Sequence, residues 1–413
     1  MTSFRRYLFP DDDQRITSLR GLDPREYARV ATTDPFAGPM IEGWARLYPE
    51  PYVGITANGA VDLEAATAPP VLADEAAPTM AMVDAANALL ATLDETSLKK
   101  LCYPAEAHEW RSWANPEFLQ HDTGLRLEEL SHSSREAALH LIRVSLSESG
   151  YRLVRELMYI NGYLGEIVGL SALMNEFSYN IALFGQPSPT EPWGWNFFGH
   201  HVALNCVVQG PRLALAPVFL GAEPSIVDDG PRGGLRVLDD RIVAARRVMR
   251  ALPEELQREI VLYDRMVDPR MPPGRLHPGD ERHLAGCFQD NRVIAPEGLP
   301  VQRMPEHAQE EIRALANTFL DVLPAGPARA WLREIDAHLE ATTFCWIGGT
   351  GSDDPFYLRL QSPVVIVELD HHTGVFLSNE EPAAFHIHSI MRIPNGRDYG
   401  GLLRGPGGEA VAG

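Results

Sequence analysis

Cysteine is scarce in this chain. Cys102, Cys206, Cys287 and Cys345 are widely separated and form no Cys-x-x-Cys pair. That excludes a disulfide framework and reads as four reduced thiols, as expected of a cytoplasmic protein. Positive charge is short as well. Against 56 acidic residues stand 36 Lys and Arg, for a formal charge of −20. So acidic a surface repels phosphate backbones and anionic lipid, so neither nucleic acid nor a membrane is an expected partner. The apolar runs are too short and broken to cross a membrane, and residues 1–15 lack the apolar centre of a signal peptide. Cofactor signatures are missing too. Gly348-Gly349-Thr350-Gly351 has neither the GxGxxG spacing nor the Walker lysine, and there is no GxSxG nucleophile elbow. Nicotinamide, flavin and nucleotide triphosphate chemistry are therefore not indicated, and no cofactor is expected.

What is present is an ordinary globular composition. The 413 residues are 45% hydrophobic, enough for a large core, and length alone suggests two or three units of roughly 100–200 residues. Residues 30–80 are rich in Pro, Gly and Ala and weakly periodic. They predict only a short hairpin around Pro51-Tyr52-Val53-Gly54-Ile55 with an Asn58-Gly59 turn. From Met80 the pattern is helical: Met82, Ala85, Ala86, Leu89, Leu90 and Leu93 recur at three- and four-residue spacing, with Asp94 ending the run. A second helix near Ser134 buries Ala138, Leu141, Ile142, Ser145 and Leu146, and Ser147-Glu148-Ser149-Gly150 closes it. A third follows from Tyr151 to about Met174.

The period then changes to two. Ser178–Phe184, Trp193–Val208 and Arg212–Leu220 read as antiparallel strands. Helices over Asp239–Tyr263 and Glu306–Ala341 interrupt them, leaving 235–341 mainly helical. Thr342–Ile347, Phe356–Gln361, Val364–Leu369 and Phe385–Ile393 then follow as strands in close succession, and the short turns that join the first three imply a meander. The expected fold class is α+β, with helices over 80–175 packed on a largely antiparallel β-sheet built from 176–220 and 342–400.

Five stretches carry a resemblance. They are Glu109-Trp110-Arg111-Ser112-Trp113-Ala114-Asn115; Leu146-Ser147-Glu148-Ser149-Gly150-Tyr151; Trp193-Gly194-Trp195 with Gly199-His200-His201; Phe219-Leu220-Gly221-Ala222-Glu223-Pro224; and His386-Ile387-His388 with Arg392, Asp398, Tyr399 and Gly400. In this order they resemble the domain of unknown function 3500 family over nearly the whole chain. The resemblance implies one family-length unit, residues 1–413, and implies no reaction.

Three histidine clusters are the candidate chemistry: His200-His201, His371-His372 and His386-Ile387-His388. A single histidine on a strand is most often a hydrogen-bonded structural residue. Six of the 14 histidines in three short segments shift that balance towards a site. His371-His372 stands apart, because the following Thr373-Gly374 marks a turn where exposed histidines are cheap. On an unbroken strand His200 and His201 face opposite ways, unless Gly199 introduces a bulge. His386, His388, Ile390 and Arg392 share one face, as do Glu368 and Asp370. Trp193 and Trp195 flank the first cluster, as core or as a substrate wall, with Trp195 on the face of His201. Asp398 and Tyr399 follow an Asn395-Gly396 turn, as a strand cap or as a second acid/base couple.

Imidazole with carboxylate is the usual acid/base pair near neutral pH. The expected function is therefore cofactor-independent acid/base chemistry on a small, bulky organic molecule of specialised metabolism: dehydration, addition or cyclisation. His201 or His388 is the expected base, and Glu368 or Asp370 the acid or the group that sets the tautomer. Arg392 is expected to orient a carboxylate or enolate. The alternative is a metal-dependent oxidoreductase or hydrolase with a transition metal held by His200, His201, His386 and His388. A third reading is a non-catalytic small-molecule-binding protein.

Overall fold

A computed structural model describes residues 4–67 and 74–404 of the chain. Its centre is one 12-stranded mixed sheet. Four strands are short: β1 (Cys102–Tyr103), β2 (Leu125–Arg126), β7 (Val261–Tyr263) and β8 (Leu299–Pro300). The first half of the sheet proper is β3 (Tyr179–Phe184), β4 (Trp193–Gly199), β5 (Val202–Gln209) and β6 (Arg212–Ala222). The second is β9 (Thr343–Gly348), β10 (Phe356–Gln361), β11 (Ile366–His371) and β12 (Ile387–Arg392). The order is β1-β3-β4-β5-β6-β12-β11-β10-β9-β7, with β2 on β3 and β8 on β9. Only β1–β3 and β7–β9 are parallel. The fold is α+β, and the sheet joins the two strand-rich stretches where β6 pairs with β12.

Alternation along each strand assigns its two faces to different layers. One face packs under helices Thr79–Leu90, His132–Ser145, Glu148–Ile167, Asp239–Ala251 and Glu306–Leu320. There Met82, Leu141, Leu157 and Phe319 meet Trp195, Leu204, Leu369 and Met391. The other face is covered by helix Ala37–Leu47, the segment around Trp110–Phe118 and an irregular stretch around Leu284–Phe288. Against these lie Phe198, Phe219, Ile366 and Ile390. Burying each such side chain contributes roughly 1.5–3 kcal/mol. The site lies on this second face.

The helix cores follow the periodicity, but several ends and one region differ from expectation. Ser147 opens the next helix: its hydroxyl caps the Gly150 N–H at 2.8 Å, so the segment Ser147–Gly150 starts a helix as well as ending one. Asp94 likewise caps helix Glu95–Leu101. The helix expected over Asp239–Tyr263 stops at Ala251, and Pro253 starts a separate short helix before β7. Most of 264–298 is irregular rather than helical.

The hairpin at 51–59 does not form; Thr56 bridges Val293 instead. Residues 24–47, taken as aperiodic from residue 30 on, form helices Pro24–Ala31 and Ala37–Leu47. Gly, Pro and Ala dilute the apolar spacing there, while Met40 and Trp44 are the large buried side chains that anchor the second helix, with Ala37 beside them. Within the expected 30–80 stretch, residues 68–73 lie outside the described residues.

Candidate functional site

The strand expected over Trp193–Val208 is two strands joined by a two-residue turn, with Gly199 paired to Val202 and His200-His201 between them. His201 takes the left-handed backbone at φ +64, an uncommon conformation for a residue with a side chain, tolerated better by His than by most. The turn breaks the alternation and brings both imidazoles to one side, stacked with centroids 3.8 Å apart. His386 and His388 reach the same place from the start of β12, which pairs directly with β6.

Three ring nitrogens converge. His201 Nε2 lies 3.1 Å from His388 Nε2, and His386 Nε2 lies 3.0 Å from His388 Nε2. All three side chains are buried. The His386 Nδ1–H donates to the Thr373 carbonyl at 2.6 Å, which leaves a lone pair on its Nε2. A neutral ring nitrogen carries one proton or one lone pair, so His388 Nε2 cannot make a linear hydrogen bond to each of two neighbours. A cation bound between the three nitrogens would resolve this arrangement. Two nitrogens bound at 2.0–2.1 Å in tetrahedral geometry lie about 3.3 Å apart, close to what is seen. Burial, reinforced by the neighbouring imidazoles, holds all three well below the ordinary 6.5, so their lone pairs are available near neutral pH.

The surroundings fix these rings. Glu223 accepts the N–H groups of Val375, Phe376 and Leu377, and so pins the loop whose Thr373 carbonyl orients His386. His200 Nδ1 is 2.9 Å from Asn161 Oδ1; the Asn161 amide donates to Asn175, so the imidazole is the donor to Asn161. Burial takes His200 down to about 3. Gly221 of β6 is the spacer. A methyl group there meets His388 Cδ2 at 2.9 Å, His201 Cδ2 at 3.0 Å and the Ile387 carbonyl at 3.0 Å. Gly221→Ala is therefore expected to lower metal affinity about 10–100-fold, the scale of a disturbed ligand-orienting group. Calorimetric titration with Zn²⁺ checks this, and an unchanged affinity would refute it.

A second group adjoins the first. His283, Asp370 and His372 lie with ligating atoms within 4.8 Å of one another, and the His372 ring is 3.8 Å from that of His388. His372, expected in an exposed turn, is buried in this cluster, because the 373–377 loop and the stretch carrying Glu281 close over it. His371 points to the helix-covered face, where its Nδ1 lies 2.9 Å from the Phe356 carbonyl.

A cavity of about 620 Å³ opens beside the histidines. It is lined by His200, His201, His372, His386 and His388 on the sheet side. Tyr27, Met40, Phe118 and Phe376 line its other walls, and the exposed Phe36 and Val375 its rim. Glu117 also lines it; burial raises its carboxyl to about 7, opposed by backbone and Tyr27 hydrogen bonds.

The other expected site residues are elsewhere. Trp193 and Trp195 face the helix layer, their indoles donating to Ser188 and Ser145. They do not line the cavity, because the turn at 200–201 ends the register that would have set Trp195 beside His201. Glu368 accepts the N–H groups of Leu284 and Ala285 and the Tyr357 hydroxyl, which holds the segment bearing His283. Arg392 is consumed in a buried network: Nε to Asp398 at 2.7 Å, Nη2 to Asp290 at 2.5 Å, Nη1 to the carbonyls of Ala285 and Gly286. Tyr399 donates to Asp290. Glu368, Arg392, Asp398 and Tyr399 therefore clamp loops and are absent from the cavity wall. Four residues escaped sequence reasoning: His283, Glu117, Asn161 and Glu223. Glu117 had a signal, two positions beyond the Glu109–Asn115 stretch. Isolated His283, in an aperiodic segment, had none.

Fold and site together define an α+β protein with a buried polyhistidine centre at a cavity. A family model described as protein of unknown function (DUF3500) matches residues 75–401, and the chain belongs to that family. No curated protein and no solved structure matches it.

Proposed function

We propose that this chain is a metal-dependent hydrolase acting on a small, largely apolar organic molecule. The observation that carries this reading is the convergence of His201, His386 and His388 Nε2 beside a cavity that Glu117 also lines. Three neutral imidazoles leave the full charge of a divalent cation on whatever occupies its open positions. A divalent cation held there would supply a bound water acidified to a pKa of about 7, suited to attack on an activated carbonyl or related electrophile. Glu117 is suited to take the water's proton and pass it to the leaving group, because its affinity for protons is matched to neutral solution. The apolar walls suit a substrate whose body is hydrophobic and whose reactive end is polar.

Elemental analysis of the purified chain, followed by assays on a panel of small esters, amides and lactones, tests the proposal. Stoichiometric transition metal and hydrolysis lost in chelator are expected. Activity intact without metal would sink it, and would favour the metal-free acid/base reading, for which the Asp370–His372 approach of 3.2 Å is the structural motive. Glu117→Gln should leave metal content unchanged and lower turnover about 10²–10⁴-fold. The carboxylate is the form that accepts the proton, so the wild-type rate should rise with pH through about 7. In a pH–rate profile the Gln variant should lose the Glu117 part of that limb and keep the part set by the metal-bound water.

A further inference from the structure

We infer that His283, Asp370 and His372 form a second metal site for a divalent transition metal, adjoining the first. It shares no ligand with that site and does not rest on the hydrolase reading.

Two histidines and one carboxylate, with ligating atoms within 4.8 Å of one another, are a recognised ligand set for divalent iron and related ions. Asp370 and His372 come from the end of β11, as an Asp-x-His pair, and His283 from the irregular stretch above it. Asp370 is already oriented. Arg282 donates from Nε to Oδ1 at 2.7 Å and from its backbone to Oδ2 at 3.2 Å. Lone pairs remain on both oxygens, and His372 Nε2 stands 3.2 Å from Oδ2.

The independent sign is His283. Its side chain is buried, and neither ring nitrogen has a hydrogen-bond partner among the described residues. Buried polar atoms are seldom left without partners unless an ion or water belongs there. Glu368 and Arg392 hold the backbone just after this ring, at Leu284 and Ala285, an investment of two buried charged groups in placing one otherwise unpartnered imidazole. The two clusters meet at the His372–His388 contact, and His372 lines the cavity beside the first site.

The test uses the full chain, stripped with chelator and titrated with Co²⁺ alone, with visible absorption as readout and elemental analysis after gel filtration as the count. Wild type is expected to bind two equivalents with two distinguishable spectra. His283→Ala and His372→Gln should each retain one equivalent with the spectrum of the histidine-only site, and His386→Ala should retain the other. A wild-type endpoint at one equivalent leaves a single site, and the variants assign it. If that equivalent is lost in His386→Ala but kept in His283→Ala, the first site stands alone. If it is lost in His283→Ala and kept in His386→Ala, the second site is supported and the first fails. Two equivalents retained by both His283→Ala and His372→Gln also overturn the assignment. Where one variant does not fold, the other variant of the same site serves, and a wild-type chain that binds no Co²⁺ overturns the second site outright.

Discussion

His388→Ala is expected to abolish metal binding at the three-histidine centre and hydrolysis with it. His388 is the only one of the three whose Nε2 approaches both others, so its loss leaves two ligands with no common neighbour. Disturbing an outer orienting group costs about 10–100-fold in metal affinity, and removal of the central ligand should exceed the upper end of that range. His371→Ala is the control. It removes an equally buried histidine that points away from the cavity. Elemental analysis and turnover measured on both variants, with circular dichroism to establish folding, separate loss of a ligand from loss of a core residue. Equal metal content in wild type and His388→Ala would refute the ligand assignment.

Arg392→Met carries the largest expected effect on stability. The guanidinium is fully buried and touches Asp290, Asp398 and two carbonyls. Arg111 still pairs with Asp290 through Nε at 2.7 Å, whereas Asp398 keeps the Ile393 N–H. Removing one partner from a buried ion pair leaves an uncompensated charge and costs about 3–5 kcal/mol. Urea denaturation followed by fluorescence measures this. Exposed Arg46→Met, which breaks only an i,i+4 pair with Glu42, should shift stability by no more than about 0.5 kcal/mol. Comparable shifts in the two variants would show that the Arg392 network is dispensable. Because the same network holds Ala285 and Gly286, Arg392→Met should also weaken metal binding at His283.

Much of the architecture was legible along the chain. The apolar spacing at Met82–Leu89 and Ala138–Ser145 located two helices. The β-meander from β9 to β12 was legible as four runs, the first three with short joints. The shared face of His386, His388, Ile390 and Arg392 was also correct, since alternation within one strand is a local property. The turn at His200-His201 was not legible. Hairpins usually announce themselves with Asn-Gly or Gly residues, and two histidines in that place look like a continuing strand.

Residue chemistry misled where function and support use the same groups. Glu368 and Arg392 have the chemistry of catalysts, and the fold uses them to clamp the stretch that carries His283. His372 looked exposed because Thr373-Gly374 looked like a surface turn. Instead Glu281 accepts both the backbone N–H and the hydroxyl of Thr373 at 2.7 Å, which closes that turn over the cluster.

The sequence by itself determined the fold class, the family, the acidic charge balance and which segments are rich in histidine. These depend on composition and on neighbours within a few positions. Only the tertiary structure decided which histidines meet, because His201 and His388 are 187 residues apart and come together through the pairing of β6 with β12. It also decided which charged groups face the cavity and which hold its walls. Both outcomes follow from where strands cross and loops fold back, and no short-range pattern in the chain encodes that.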